Sequence, residues 1–119
     1  MKSFNKVAAQ GDVFFTRKDR VPTNIKASAV ENGRVIVTHS ETGHNHSMVL
    51  DRVHDVPNVV MYETENPLIA WLQVNRPTAL DHQRPHDTHE SIMFKPGVYE
   101  VRRQREYDHY AELIRAVAD

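Results

Sequence analysis

The chain has 119 residues, a formal net charge of −1 and no cysteine. This length allows one hydrophobic core, so we expect a single domain over residues 1–119. The near-neutral charge does not indicate a nucleic-acid or membrane surface. The missing thiols exclude disulfides, thiolate metal sites and a cysteine nucleophile. Hydrophobic residues make up 39% of the chain, and this fraction favours a folded protein over a disordered one.

The sequence shows no targeting or membrane segment. Its start lacks an apolar run of signal-peptide length, and no window approaches the roughly 18 apolar residues of a transmembrane helix. We therefore expect a soluble, cytoplasmic protein that does not bind membranes.

Short β-type segments separated by turn signals run through the chain, and this pattern predicts an all-β fold. The predicted strands, in chain order, are residues 12–16, 34–39, 44–52, 59–63, 68–74, 91–95 and 98–106. Asn32-Gly33 predicts a tight hairpin turn, because this dipeptide tolerates positive φ. Residues 17–26 and 76–85 contain proline and are predicted to be irregular. Trp71, in the most apolar strand, is expected in the core.

The end of the chain predicts a short helix that Asp108 can cap. Apolar residues recur there at helical spacing on one face, namely Tyr110, Leu113, Ile114 and Val117. The elements together predict a small barrel or compact sandwich with a short C-terminal helix.

Eight histidines are the unusual feature of the composition, and six of them fall into two short windows, residues 39–46 and residues 82–89. In the first window, His44 and His46 are two apart in a predicted strand and therefore project from the same face. Met48 and Leu50 continue that face, so we expect it to turn inward. His39 ends the neighbouring predicted strand and is a reserve ligand.

The second window offers His86 and His89, whose spacing can also place two imidazoles on one side of a turn. His44, His46, His86 and His89 together predict a site for Zn²⁺, with Fe²⁺ or another divalent transition metal as alternatives. The competing interpretation, that these are solvated loop histidines, stays open. The remaining three are interpreted as surface or packing histidines, namely His54, His82 and His109.

A zinc held by three imidazoles lowers the pKa of its bound water towards about 7, which would make hydrolysis the expected chemistry. Glu90 is the candidate catalytic base, with Asp87 beside it. The substrate would be a small molecule or a peptide. The sequence contains no H-E-x-x-H motif, no G-x-S-x-G elbow and no glycine-rich phosphate loop.

An arginine-rich run follows the Pro96-Gly97 turn. Alternation places Tyr99, Val101 and Arg103 on one strand face and Arg102 on the other. Two interpretations remain open, an arginine pair for a carboxylate or phosphate and a solvated face with cross-strand ion pairs. Nucleic-acid binding through these arginines and Arg105 conflicts with the near-neutral charge.

The order of these motifs resembles a group of small bacterial and phage proteins. The matching segments are Q-G-D-V at 10–13, H-S-E-T-G-H-N-H at 39–46, H-D-T-H at 86–89, P-G-V-Y-E-V at 96–101 and R-Q-R-E-Y at 103–107. The resemblance implies that paired histidine clusters are a hallmark of the group, and that the cell is a bacterium or a phage-infected host. It implies no activity. The alternative function is therefore a non-enzymatic accessory or assembly protein that acts through protein–protein contacts, including oligomer formation.

Overall fold

Strands form all the regular structure in the computed structural model, which describes residues 2–11, 13–23, 25–28, 30–38, 45–82 and 90–103. In chain order they are β1 (Lys2–Ser3), β2 (Val7–Gln10), β3 (Val13–Lys18), β4 (Lys26–Ala27), β5 (Val30–Glu31), β6 (Arg34–Thr38), β7 (His46–Val49), β8 (Arg52–Val53), β9 (Val56–Pro57), β10 (Val59–Glu63), β11 (Ile69–Val74), β12 (Thr78–His82), β13 (Ile92–Phe94) and β14 (Gly97–Arg103). The all-β prediction is confirmed. The helix predicted after Asp108 lies outside the described residues. Within the described ranges, no helix could span a membrane.

The strands form two six-stranded sheets and a small ribbon. The first sheet has the order β1-β13-β12-β7-β6-β5, the second has the order β2-β3-β14-β11-β10-β4, and β8 pairs with β9. Strand β1 lies parallel to β13, and the other pairs of described strands are antiparallel. Each sheet ends in two edge strands that do not meet, so the small-barrel alternative is wrong.

One hydrophobic core lies between the two sheets, because the inward faces of both contribute to the same cluster. Phe94 of β13 is fully buried and packs edge-on against Phe4 and Phe15 with ring centroids 4.8 Å apart, and against Tyr99 at 4.9 Å. Edge-to-face aromatic contacts of this kind add to the stabilisation from burial alone. The aromatic cluster therefore joins β13 of the first sheet to β3 and β14 of the second.

The predicted irregular stretch 76–85 contains strand β12, so that part of the prediction is wrong. Leu80, in the middle of β12, is fully buried and belongs to the core. Pro77 lies immediately before the strand, where a missing backbone N–H removes no ladder hydrogen bond. The proline therefore precedes a strand here instead of interrupting one.

The prediction that Trp71 lies in the core is also wrong. Strand β11 alternates strictly, and its buried residues are Ala70, Leu72 and Val74. Trp71 has the opposite parity and is half-buried on the outer face of the second sheet. Its strand does lie inside the sheet, between β14 and β10.

Candidate functional site

Three residues at one end of the first sheet lie on neighbouring strands and form the histidine rung, which consists of Thr38, His46 and His82. Thr38 ends β6, His46 begins β7, and His82 ends β12. His46 is the cross-strand partner of both other residues. The first histidine window adjoins Thr38 and His46 in sequence, and the second begins at His82. The fold therefore anchors both windows on the same rung.

A β-bulge shapes this end of the sheet. The register between β6 and β7 shifts between Ile36 and Thr38, so Val37 is an extra residue on β6. A bulge leaves one residue outside the regular ladder and bends the strand. The backbone carbonyl of Val37 is then available to accept a hydrogen bond from a side chain.

The two imidazoles of the histidine rung stack directly on each other. The ring centroids of His46 and His82 are 3.9 Å apart and the ring planes differ by 10°. His46 is only 4% exposed and has the same parity as the fully buried Met48. The expectation that this face of the strand turns inward is therefore confirmed.

Gln10 reaches this pair from the second sheet. It ends β2 and is 3% exposed. Its side-chain Nε2 donates to the carbonyl oxygens of Leu80 and Glu90, each at 3.0 Å. Its Oε1 lies 2.7 Å from Nδ1 of His46. One amide thus joins β2 to β7, β12 and the residue that follows the second histidine window.

Arg103 supplies a buried cation near the same end of the molecule. Its Nε donates to the bulge carbonyl of Val37 at 2.8 Å, and its two Nη atoms donate to the Glu63 carboxylate at 2.9 and 2.8 Å. Nη1 also donates to the carbonyl of Pro67 at 3.0 Å. Paired parallel bonds of this kind are the strong form of an arginine–carboxylate contact.

One hydroxyl of the histidine rung has an unmet hydrogen-bonding requirement. Thr38 is 6% exposed, and its Oγ1 is buried without a hydrogen-bond partner in the described structure. Leaving such a group unsatisfied costs about 1–3 kcal/mol. A bound solvent molecule or ligand beside the rung would remove that cost.

A second polar network lies on the opposite face of the same strands. Asp81 accepts a hydrogen bond from Ser91 Oγ at 2.7 Å and forms an ion pair with Arg34 at 3.3 Å. Arg34 also donates to Ser47 Oγ at 2.9 Å. These contacts link β6, β7 and β12 from outside, and so they hold the register that places His46 beside His82.

The predicted ligands divide between described and undescribed positions. His46 lies in the rung, whereas His39, His44, His86 and His89 lie outside the described residues, as does Asp87. Within the described ranges, no three His, Asp or Glu side chains are grouped closely enough to hold a metal. Glu90 is exposed, and its backbone carbonyl accepts a hydrogen bond from the Gln10 side chain. The role of its carboxylate as a catalytic base stays a prediction.

Sequence reasoning did not single out Gln10 or Thr38 as residues of this site. His82 was interpreted as a surface or packing histidine, and it does pack: it continues the inward parity of Thr78 and Leu80 and stacks on His46. Its place beside His46 was not predicted. Alternation along β12 was the signal that could have found it. Gln10 gives no such signal, because its partners lie in distant strands. The surface interpretation does hold for His54, which is exposed in the β8–β9 turn.

The arginine run is divided between the two faces of β14, as alternation predicts. Arg103 faces inward, and its carboxylate partner is Glu63 of the same chain. The exposed Arg102 pairs with Glu100 at 2.7 Å on the outer face. Arg105 lies outside the described residues.

No curated protein and no solved structure matches this chain. Residues 9–104, from β2 to just beyond β14, match a family described as a domain of unknown function, DUF8820. That match includes Gln10 and the whole histidine rung. The chain therefore belongs to the DUF8820 family.

Proposed function

We propose that the histidine rung is the inner part of a transition-metal site, with His46 and His82 as ligands. The observation that carries this proposal is the stacking contact between the buried imidazole of His46 and the half-buried imidazole of His82, which come from the two separate histidine windows. The remaining ligands would come from the other histidines of those windows, namely His39, His44, His86 and His89. Zn²⁺ is the expected ion, because imidazole ligands without thiolates suit zinc, with Fe²⁺ as the alternative.

The stacked rings must turn apart when they bind one ion. A metal bound to an imidazole lies about 2.0–2.1 Å from the nitrogen along its lone pair, and therefore in the plane of that ring. The planes of His46 and His82 are nearly parallel, so one ion cannot lie in both. We expect metal binding to open the stack and to bring a metal-bound water close enough for Thr38 Oγ1 to bond.

Hydrolysis is the chemistry that this site would support. A zinc that keeps one open coordination position lowers the pKa of its bound water towards about 7 and so supplies a nucleophile at neutral pH. Glu90 follows the second histidine window directly and is exposed, which suits a general base that must reach a substrate. The substrate class is a small molecule or a peptide.

Elemental analysis of protein purified without a histidine tag tests the proposal. We expect near-stoichiometric zinc or iron in the wild type and its loss in His46→Ala and in His82→Ala. His54→Ala is the matched control, because His54 is exposed on the β8–β9 turn. Melting curves in EDTA establish that each variant folds.

A thermodynamic measurement complements the metal content. Zinc at 100 times its dissociation constant should raise the free energy of unfolding of the wild type by about 2.7 kcal/mol. Neither His46→Ala nor His82→Ala, the two rung variants, should show this increase. If the wild type retains no metal after incubation with Zn²⁺, or if the rung variants retain it fully, the metal proposal is wrong.

The exposed valines of the β7–β9 region favour a second candidate function, protein–protein association between copies of this chain. Val49, Val53 and Val56 are 51%, 44% and 49% exposed, and the last two are cross-strand partners in the ribbon. Sedimentation over a range of concentrations tests this alternative. Association that is lost in Val53→Thr/Val56→Thr would support it, and a monomer at all concentrations would contradict self-association through the ribbon.

A further inference from the structure

We infer that Gln10 is a positioning residue that holds His46 in the Nδ1–H tautomer, so that Nε2 is the nitrogen that binds the metal. The tautomer follows from the hydrogen bonds of Gln10 alone. The ligand role of Nε2 rests on the proposed function. The inference adds a residue from the second sheet to a site otherwise built on the first.

The orientation of the Gln10 amide is set by two backbone carbonyls. One terminal atom of the amide lies 3.0 Å from the carbonyl oxygen of Leu80 and 3.0 Å from that of Glu90. A carbonyl oxygen can only accept hydrogen bonds, so this terminal atom must be the NH₂ group, which has two protons to donate. The other terminal atom is therefore Oε1.

The position of the imidazole proton follows from this orientation. Oε1 has no proton to donate, and it lies 2.7 Å from Nδ1 of His46. A hydrogen bond at this distance requires the proton to be on Nδ1. The neutral imidazole then carries its lone pair on Nε2.

The surroundings make this arrangement rigid. Gln10 and His46 are 3% and 4% exposed, so water does not compete effectively for their hydrogen bonds. Metal-ligating histidines usually donate their second ring N–H to an oxygen of the protein, which fixes both the tautomer and the ring orientation. An amide oxygen does this without adding charge to the core, whereas a carboxylate at the same position would add one.

Nitrogen NMR of the metal-free protein tests the tautomer directly. In ¹⁵N-labelled wild type, at a pH where the ring is neutral, long-range ¹H–¹⁵N correlations should show a protonated Nδ1 and an unprotonated Nε2 for His46. Gln10→Leu should move the proton, wholly or partly, to Nε2.

The matched controls are His54 in every spectrum and the variant Gln73→Leu, which replaces a half-buried glutamine on the outer face of the second sheet. Neither should affect His46. A protonated Nε2 in the wild type would overturn the inference, and so would an unchanged His46 tautomer in folded Gln10→Leu.

Zinc titration tests the role of Nε2 separately. Loss of a residue that orients a metal ligand typically lowers affinity about 10–100-fold, so we expect that loss in Gln10→Leu and near wild-type affinity in the control Gln73→Leu. A changed tautomer with unchanged affinity would overturn the ligand role of Nε2. Absence of zinc binding in the wild type would instead disprove the proposed function, while the NMR result would still decide the tautomer.

Discussion

At the scale of single residues, Arg103 joins the two sheets through the β-bulge. The bulge frees the carbonyl of Val37 from the regular ladder, and Arg103 of the second sheet donates to it. The same guanidinium neutralises Glu63 and bonds the carbonyl of Pro67. Removing the side chain would therefore take away the ion-pair partner of Glu63 and a hydrogen-bond donor to the Val37 carbonyl, near the strand end that carries the histidine rung.

We expect Arg103→Leu to lower the free energy of unfolding by about 3 kcal/mol, the lower end for breaking a buried ion pair, because the remaining Glu63 carboxylate is 40% exposed. Urea unfolding measures the change. The neighbouring Arg102 is a matched control, because its side chain is 63% exposed and its ion pair lies on the outer face. Arg102→Leu should change stability by less than about 0.5 kcal/mol. Equal effects of the two substitutions would contradict this account.

Tyr99 makes stability depend on pH in the alkaline range. Burial raises the pKa of the Tyr99 phenol above its ordinary value of 10.0, although the nearby Arg17 guanidinium opposes part of the rise. The unfolded chain therefore loses this proton at a lower pH than the folded protein. Stability from the neutral phenol is fully present below about pH 10 and is lost as the pH rises further.

We expect the free energy of unfolding of the wild type to fall more steeply above about pH 10 than that of Tyr99→Phe. Chemical denaturation at a series of pH values gives the slopes. Parallel curves for wild type and Tyr99→Phe would refute the assignment.

Alternation predicted that His46 points inward and that Arg103 shares a strand face with Tyr99 and Val101, but it could not predict the partners of these two side chains. The buried positions of His46 and Arg103 follow from the parity of Met48 and Val101 in their strands. Gln10 lies 36 residues from His46 in sequence, and Glu63 lies 40 from Arg103. Such pairs depend on how two sheets face each other, and a single sequence carries no local signal for that.

At the scale of elements, two tight turns of similar backbone geometry differ in sequence. Asn32-Gly33 connects β5 to β6 with φ of 52° and 73°, as its sequence predicts. His54-Asp55 connects β8 to β9 with φ of 51° and 63°. Residues other than glycine pay a steric cost in this conformation. The second turn therefore carries this cost at both positions, whereas the first carries it only at Asn32.

Replacing His54-Asp55 with Asn-Gly should stabilise the ribbon by about 1 kcal/mol, because it relieves the left-handed backbone at Asp55. Hydrogen exchange of the ribbon amides measures the stabilisation of the ribbon itself. Thermal unfolding measures how much of that stabilisation contributes to the stability of the whole protein. Slower exchange is the expected result. Unchanged or faster exchange would show that the turn is not strained.

The converse substitution, Gly33→Ala, should destabilise by about 1 kcal/mol. Among the described residues, no heavy atom lies within 4 Å of a Cβ added at Gly33, so the cost would come from the backbone conformation and not from steric crowding. Thermal unfolding measures it. No loss of stability would indicate that the turn relaxes to another conformation.

The sequence predicted long strands well and short or edge strands poorly. Strands β10 and β11 show clear alternation and lie within one residue of their predicted positions. Strands β1 and β4 have two residues each, too few to show any period, and exist only because a neighbouring strand pairs with them. Strand β12 has the alternation but lies between prolines that favoured the irregular interpretation.

At the scale of the whole molecule, the two sheets share one core and are linked across it by Gln10 and Arg103. Neither sheet can lose its partner without exposing its inner face to water. We therefore expect one cooperative unfolding transition. The fluorescence of Trp71, the single tryptophan, and far-UV circular dichroism should give the same urea midpoint. Separate midpoints would mean that the sheets unfold independently.

The place of β14 in the second sheet has a consequence for synthesis on the ribosome. It is the last described strand in sequence, yet it lies between β3 and β11 and pairs with both over six residues. Until β14 leaves the exit tunnel, β3 and β11 each have an edge without a partner strand. Both of these edges pair with β14 in the folded protein. The nascent chain thus carries these exposed edges until residues 97–103 have emerged, and this is the interval when chaperones are most needed.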